Sequence, residues 1–219
     1  FSDSIQAGIY MKHPRIIRIK ADMVDQMNYD KILSMYQDRF KDASDFTFIF
    51  VGNVDVEKMK PVIAEYLGAL PAVNRKETFK DNKIEMRQGI YKNEFTKQQE
   101  TPKASVFAFY NGDCKYDLRN NLLLSMTSQI LDLVYTEKVR EDEGGTYGVY
   151  VGGTLQKYPK EKAILQIIFD TAPEKKEKLM KIIFGEIDNI TKTGPSEANL
   201  NKVKEYMLKK HTEDLKENS

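Results

Sequence analysis

Arg140 and Tyr147 stand seven residues apart, on either side of Gly144-Gly145. An arginine is a fixed cation whose planar fork of donors suits a carboxylate or a carbonyl. A tyrosine hydroxyl can donate to a peptide carbonyl or to a developing oxyanion. Between them, Glu141, Asp142 and Glu143 fall where the end of a helix favours cations, so the local charge opposes the helix dipole. Gly144 suits the left-handed residue that closes a helix, and Gly145 lets the backbone come close to another group. Taken singly, Arg140 reads first as a salt-bridged helix end and Tyr147 as a packed strand aromatic. Taken together, beside two glycines, they read as a recognition pair in a stretch that breaks local rules.

No other constellation in the chain is complete. The two histidines are His13, before Pro14, and His211, in Lys210-His211-Thr212-Glu213. Neither belongs to a paired-histidine motif, so no zinc site assembles from this chain alone. The single Cys114 excludes an internal disulfide and a thiolate cluster, and its neighbours Asp113 and Lys115 make no electropositive niche. There is no Gly-x-Ser-x-Gly elbow and no phosphate loop; Gly144-Gly145 with Gly148 lacks the strand that must precede a dinucleotide fingerprint. Glu141 and Glu143 read as solvated carboxylates in a charged chain. A net charge of +1, with no basic cluster among aromatics, gives no footprint for nucleic acid. No apolar run approaches the roughly twenty residues of a membrane span. Phe1-Ser2-Asp3-Ser4 lacks the features of a signal peptide, and without an initiator methionine the chain reads as cut from something longer.

The elements that must position the pair follow from periodicity. Residues 1–24 read as an arm leading into a single domain over 25–219. A helix is expected over 29–40, capped by Asn28, with Ile32, Leu33, Tyr36 and Phe40 on one face. Phe46-Thr47-Phe48-Ile49-Phe50-Val51 is nearly continuous apolar, as in a strand covered on both faces. Asp55 caps a helix to Leu67 that Gly68 stops, with Pro61 expected to kink it. After a polar connector over 70–82, residues 88–97 and 103–111 suggest a hairpin. The longest helix, 116–140, carries a stripe of Leu118, Leu122, Met126, Ile130, Leu133 and Val134. Strands follow at 147–151 and 163–169, with Gly152-Gly153 as a bulge or fray, then helices from Pro173 to Thr193 and from Ser196 onward. With hairpins present the sheet is mostly antiparallel, and the strands near 46–51, 104–110, 146–151 and 163–169 are expected to share it. The fold class is α+β, two-layer, with helices on one face of the sheet.

Several of these pieces, in this order, resemble the pitrilysin/insulin-degrading-enzyme (insulinase) family of zinc metallopeptidases. The resemblance is carried by Phe46 to Asp55, by Tyr66-Leu67-Gly68-Ala69-Leu70-Pro71, and by Val139-Arg140-Glu141 with Gly145-Thr146-Tyr147-Gly148-Val149. It implies a repeated α+β unit, paired in halves around an enclosed chamber. The inverted zinc motif of the catalytic unit is missing here, so the resemblance implies a C-terminal-type domain without metal, with zinc held by another domain of the parent. In that setting Arg140 and Tyr147 would reach the peptide substrate near the zinc. The implied partners are the metal-bearing half of the parent and a peptide. The processing-peptidase branch carries a glycine-rich loop before the long helix, where this chain has only Asn111-Gly112-Asp113. That favours the bacterial single-chain type, often exported to the periplasm. Two other readings stay open: a catalytically silent structural subunit of the same fold, and an unrelated module that binds peptides at a sheet edge.

Overall fold

A computed structural model describes residues 2–141 and 148–216, apart from the side chains of 140 and 141. The chain divides into two compact units, one running up to Arg87 and the other spanning Gln88–Lys216.

The first unit holds four helices among the described residues: α1 (Ser2–Ile9), α2 (Ala21–Val24), α3 (Tyr29–Phe40) and α4 (Val56–Tyr66). The side chain of Asn28 accepts from the Lys31 N–H at 2.8 Å, the cap that the sequence predicts for α3. Asp55 does the same for α4 through the Lys58 N–H at 3.2 Å. Pro61 lies inside α4 without ending it. After the helix the Gly68 N–H donates to the Ile63 carbonyl at 3.0 Å, and a Cβ at Gly68 would sit 2.4 Å from the Ala64 carbonyl oxygen.

One expectation is corrected here. Residues 46–51 form no strand, and the sheet of this protein does not include them. A strand needs a neighbouring edge to satisfy its amides, and the first unit has no other strand among its described residues.

What orders this region is Asp42. Its buried carboxylate accepts from the backbone N–H groups of Ser44 at 3.0 Å, Val73 at 3.0 Å and Arg75 at 2.7 Å, and from the Ser44 hydroxyl. The Ala43 N–H donates to the Pro71 carbonyl at 2.8 Å, so the connector after α4 is tied to the turn after α3. These donors, the Ser44 hydroxyl foremost, hold the Asp42 carboxyl well below the usual carboxylate range. A folded pKa below the unfolded one stabilises above the unfolded value and is lost as pH falls towards the folded one. Protection of the Val73 and Arg75 amides against exchange is therefore expected to fall between about pH 5 and about pH 2 in the native protein. In Asp42→Asn the protection is expected to be weaker and flat with pH. Equal pH profiles for the two proteins would remove Asp42 from this role.

The second unit contains β1 (Ala104–Asp113), α5 (Leu118–Tyr135), β2 (Val149–Gln156), β3 (Lys162–Thr171), α6 (Lys176–Thr193) and α7 (Glu197–Asp214). A π-helical turn, Thr136–Glu141, extends α5, and a 3-10 turn, Pro173–Lys175, leads into α6. The sheet is antiparallel in the order β1-β3-β2. Register sets the faces: Val106, Phe169 and Val149 align across the sheet, as do Phe107, Ile168 and Tyr150 one residue on. The first set belongs to the core, which it shares with Leu131 and Tyr135 of α5, Leu179 and Ile183 of α6, and Val203 of α7. The second set lies on the opposite face. The unit is thus α+β with an antiparallel sheet, as the sequence predicts.

The helix ends of this unit are set by nearby residues. Asp117 accepts from the Asn120 N–H at 2.8 Å and Ser196 from the Asn199 N–H at 3.2 Å, while Gly194 ends α6 at φ 76°. Two details differ. Gly152-Gly153 makes no bulge, because β2 stays in register with β3 throughout. Residues 88–97 form no ladder with β1, although the Gln88 side chain donates to Asn111 at 2.8 Å. Gly89, at φ 76°, interrupts the extended backbone a ladder needs.

The smoothness of β2 has a packing reason. A Cβ on Gly153 would lie 2.6 Å from the Ser128 hydroxyl and 2.7 Å from Leu124 Cγ, where α5 crosses the strand. Gly153→Ala is expected to destabilise the second unit by about 1–3 kcal/mol, the usual cost of overpacking. Urea unfolding followed by far-UV dichroism checks this, and an unchanged midpoint would contradict the close approach.

Candidate functional site

The backbone of Arg140 lies in the π-helical turn that follows α5. Gly144, Gly145 and Tyr147 lie outside the described residues, as does the Arg140 side chain. What is described is the frame on either side. Val139, next to Arg140, is fully buried, and Val149, two residues after Tyr147, is buried in the same core cluster. Val139 and Val149, ten positions apart, are thus anchored in one core.

The turn itself is tied to α6. The Tyr135 hydroxyl donates to the Ile183 carbonyl at 3.0 Å from a fully buried position, and burial pushes this phenol well above its ordinary pKa. It is thus a neutral donor at any physiological pH. Lys138 pairs with Glu186 at 2.5 Å, and the Glu186 side chain is mostly buried. A π-turn uses i→i+5 bonds and so takes more residues per turn than an α-helix. The widened segment coincides with Val139-Arg140-Glu141. Sequence reasoning reaches Arg140 but not the groups that brace it, because Ile183 and Glu186 lie 48 residues away with no local signal pairing them.

The remaining chemical groups are accounted for by local structure. His13 Nδ1 accepts from the Arg15 N–H at 3.2 Å, so Nε2 carries the proton that goes to the Asn82 carbonyl at 3.1 Å. His211 sits exposed in the last turn of α7, where a helix end favours a cation. Cys114 is half-exposed, with its thiol 3.8 Å from the Lys115 carbonyl. Asp170 is held below its usual range by the Ser105 hydroxyl, with Lys103 adding to the effect; this is a surface cluster with no activated nucleophile.

With this geometry in hand, comparison with known proteins is decisive for family. Residues 26–207 match the family described as the Peptidase M16 inactive domain. The chain belongs to that family. A zinc protease PQQL-like protein of Arabidopsis thaliana is 22% identical over 201 residues, covering 86% of this chain and 21% of its own length. Among solved structures, the periplasmic protease PqqL of Escherichia coli superposes with a TM-score of 0.78 at 20% identity, over 95% of this chain and 23% of that one. The ferredoxin protease FusC, crystallised with Arabidopsis ferredoxin, gives 0.72 at 14% identity over 96% of this chain and 22% of that one. A peptidase M16 inactive domain from Pseudomonas fluorescens gives 0.66 at 19% identity over 94% of this chain and 50% of that one. The chain spans less than a quarter of the length of the Arabidopsis, PqqL and FusC proteins.

The name of the Arabidopsis relative raises zinc, and the donor set here can be tested against it. Among the described residues no group of three His, Cys, Asp or Glu side chains is placed to hold a metal ion. One imidazole is engaged at both nitrogens and the other stands alone on a helix end. These residues do not fit a zinc site, and no step through the metal is assigned to them. No helix among the described residues is long and apolar enough to cross a membrane.

Proposed function

We propose that this M16 inactive domain belongs to a longer zinc metallopeptidase, in which it closes over the peptide substrate while another domain holds the metal. The observation that carries the reading is the family match over 26–207, joined to relatives that are proteases about four times as long. Residues 25–219 act as the peptidase module, with 1–24 as an arm that leads into it. Arg140 and Tyr147 are its substrate-binding residues, and Gly144 and Gly145 form the turn that brings them together. The framing of this segment by Val139 and Val149 supports that assignment, because two residues tied to one core hold the loop between them within a short reach. The periplasmic setting of PqqL supports the same compartment for the parent.

Two measurements test the reading. Purified, tag-free protein of residues 1–219 is expected to carry no stoichiometric zinc and to cleave no unstructured peptide. Tight one-to-one zinc, or chelator-sensitive cleavage, would overturn the division of labour. The second uses Gly148, where an added Cβ meets nothing within 4 Å among the described residues, so a side chain can start there. In the zinc-stripped parent, a photoreactive residue at 148 is expected to capture a bound, uncleaved peptide. Capture no greater than at an exposed site on α7 would show that the peptide binds elsewhere.

A further inference from the structure

We propose that Phe46–Val51 is an interior β-strand of a sheet whose other strands come from the parent polypeptide outside this chain. The inference rests on the parent being longer than this chain and not on the substrate-binding reading.

The segment already has the character of a strand. Phe46, Phe48 and Phe50 are 37%, 46% and 49% exposed, whereas the intervening Ile49 and Val51 are 80% and 83% exposed. That alternation is the period of two that an extended backbone imposes. The better-covered side lies against α3: the Tyr36 and Phe40 rings stack at 4.5 Å, Phe40 meets Phe46 at 5.8 Å, and Phe46 meets Phe48 at 6.2 Å. One face is thus backed by a helix, and the other presents isoleucine and valine to water. Among the described residues, no backbone hydrogen bond involves 47–51. Both ends are fixed, by the Asp42 network before the run and by the Asp55 cap of α4 after it.

The composition decides what covers it. Strands that end a sheet are protected by charge, proline or a bulge, and the run from 46 to 51 carries none of these. Apolar side chains on both faces require cover on both, and two bare backbone edges require a strand on either side. A second copy of this chain supplies only one such strand, and repeating the contact gives open-ended stacking rather than a closed pair. A longer polypeptide supplies both neighbours. PqqL and the Arabidopsis relative each carry more than three-quarters of their length beyond the part this chain matches. The partner surface is therefore a gap between two strands, roofed by an apolar layer that receives Ile49 and Val51.

Amide hydrogen exchange on the parent protein and on the 219-residue chain tests this. Amides of 47–51 are expected to be protected about 10³-fold or more in the parent and to exchange near the free rate in the chain alone. Amides of α5 and α6 report, in the same samples, that the second unit is folded. Ile49→Lys is expected to lower the melting temperature of the parent and leave unfolding of the second unit in the isolated chain unchanged. Free exchange at 47–51 in the parent overturns the proposal. So does protection in the dilute isolated chain, which would put the cover inside this chain. Protection that grows with concentration, alongside a dimer mass, would assign the strand to a second copy and overturn it too.

Discussion

In the parent enzyme, Tyr147→Phe is expected to lower kcat by about 10²–10³-fold, or roughly 3–4 kcal/mol of barrier, while KM changes little. The reasoning starts from what the substitution removes, which is one hydroxyl donor and no ring. If the domain closes on the substrate as proposed, that donor meets the carbonyl oxygen as negative charge develops on it. A donor aimed at an oxyanion is worth more in the transition state than in the ground state, so its loss falls on kcat. On the same proposal Arg140 also binds this peptide. If the two act on one substrate, the double variant is expected to lose less than the product of the single losses. If the hydroxyl is left free for substrate, Tyr147→Phe in the isolated chain is expected to change stability by under about 1 kcal/mol. An unaltered kcat in the parent would return Tyr147 to the scaffold. A large loss of stability in the isolated chain, with kcat per folded molecule unchanged, would do the same.

Local signals carried most of the second unit. The caps at Asp117 and Ser196 and the stop at Gly194 are each set by residues within a few positions of one another. The first unit divides along the same line. α3 and its Asn28 cap are local and were legible, whereas residues 46–51 have the composition of a buried strand and no strand beside them. Their side chains state what environment they require but not which polypeptide provides it. Asp42 escaped notice because its donors, Val73 and Arg75, are more than thirty residues away and offer only backbone amides. At the candidate site the sequence pointed to Arg140 through broken local rules. The π-turn is braced against α6 through Tyr135 and Lys138, contacts that no periodicity in α5 announces.

The largest effect on stability is expected one residue away from a mild one. Ile167 lies in the central strand β3, fully buried, with its side chain on the face that meets α5 and α6. Ile167→Ala removes buried carbons where neighbours on two elements cannot all close in, and about 2–5 kcal/mol is expected, part transfer and part cavity. Ile168 is next in the chain, half-buried, and aligned with Phe107 and Tyr150 on the other face, where the Tyr150 ring is 55% exposed. Alanine there leaves a dent open to water instead of a sealed void, so only part of a side-chain transfer term is lost, about 1–2 kcal/mol. Urea midpoints for the two variants check the contrast, provided the denaturant slope is the same as in the native protein. Equal losses would mean that the Ile168 face is also sealed in solution. A large loss at Ile167 with a small one at Ile168 would mean that only the face against α5 and α6 is sealed.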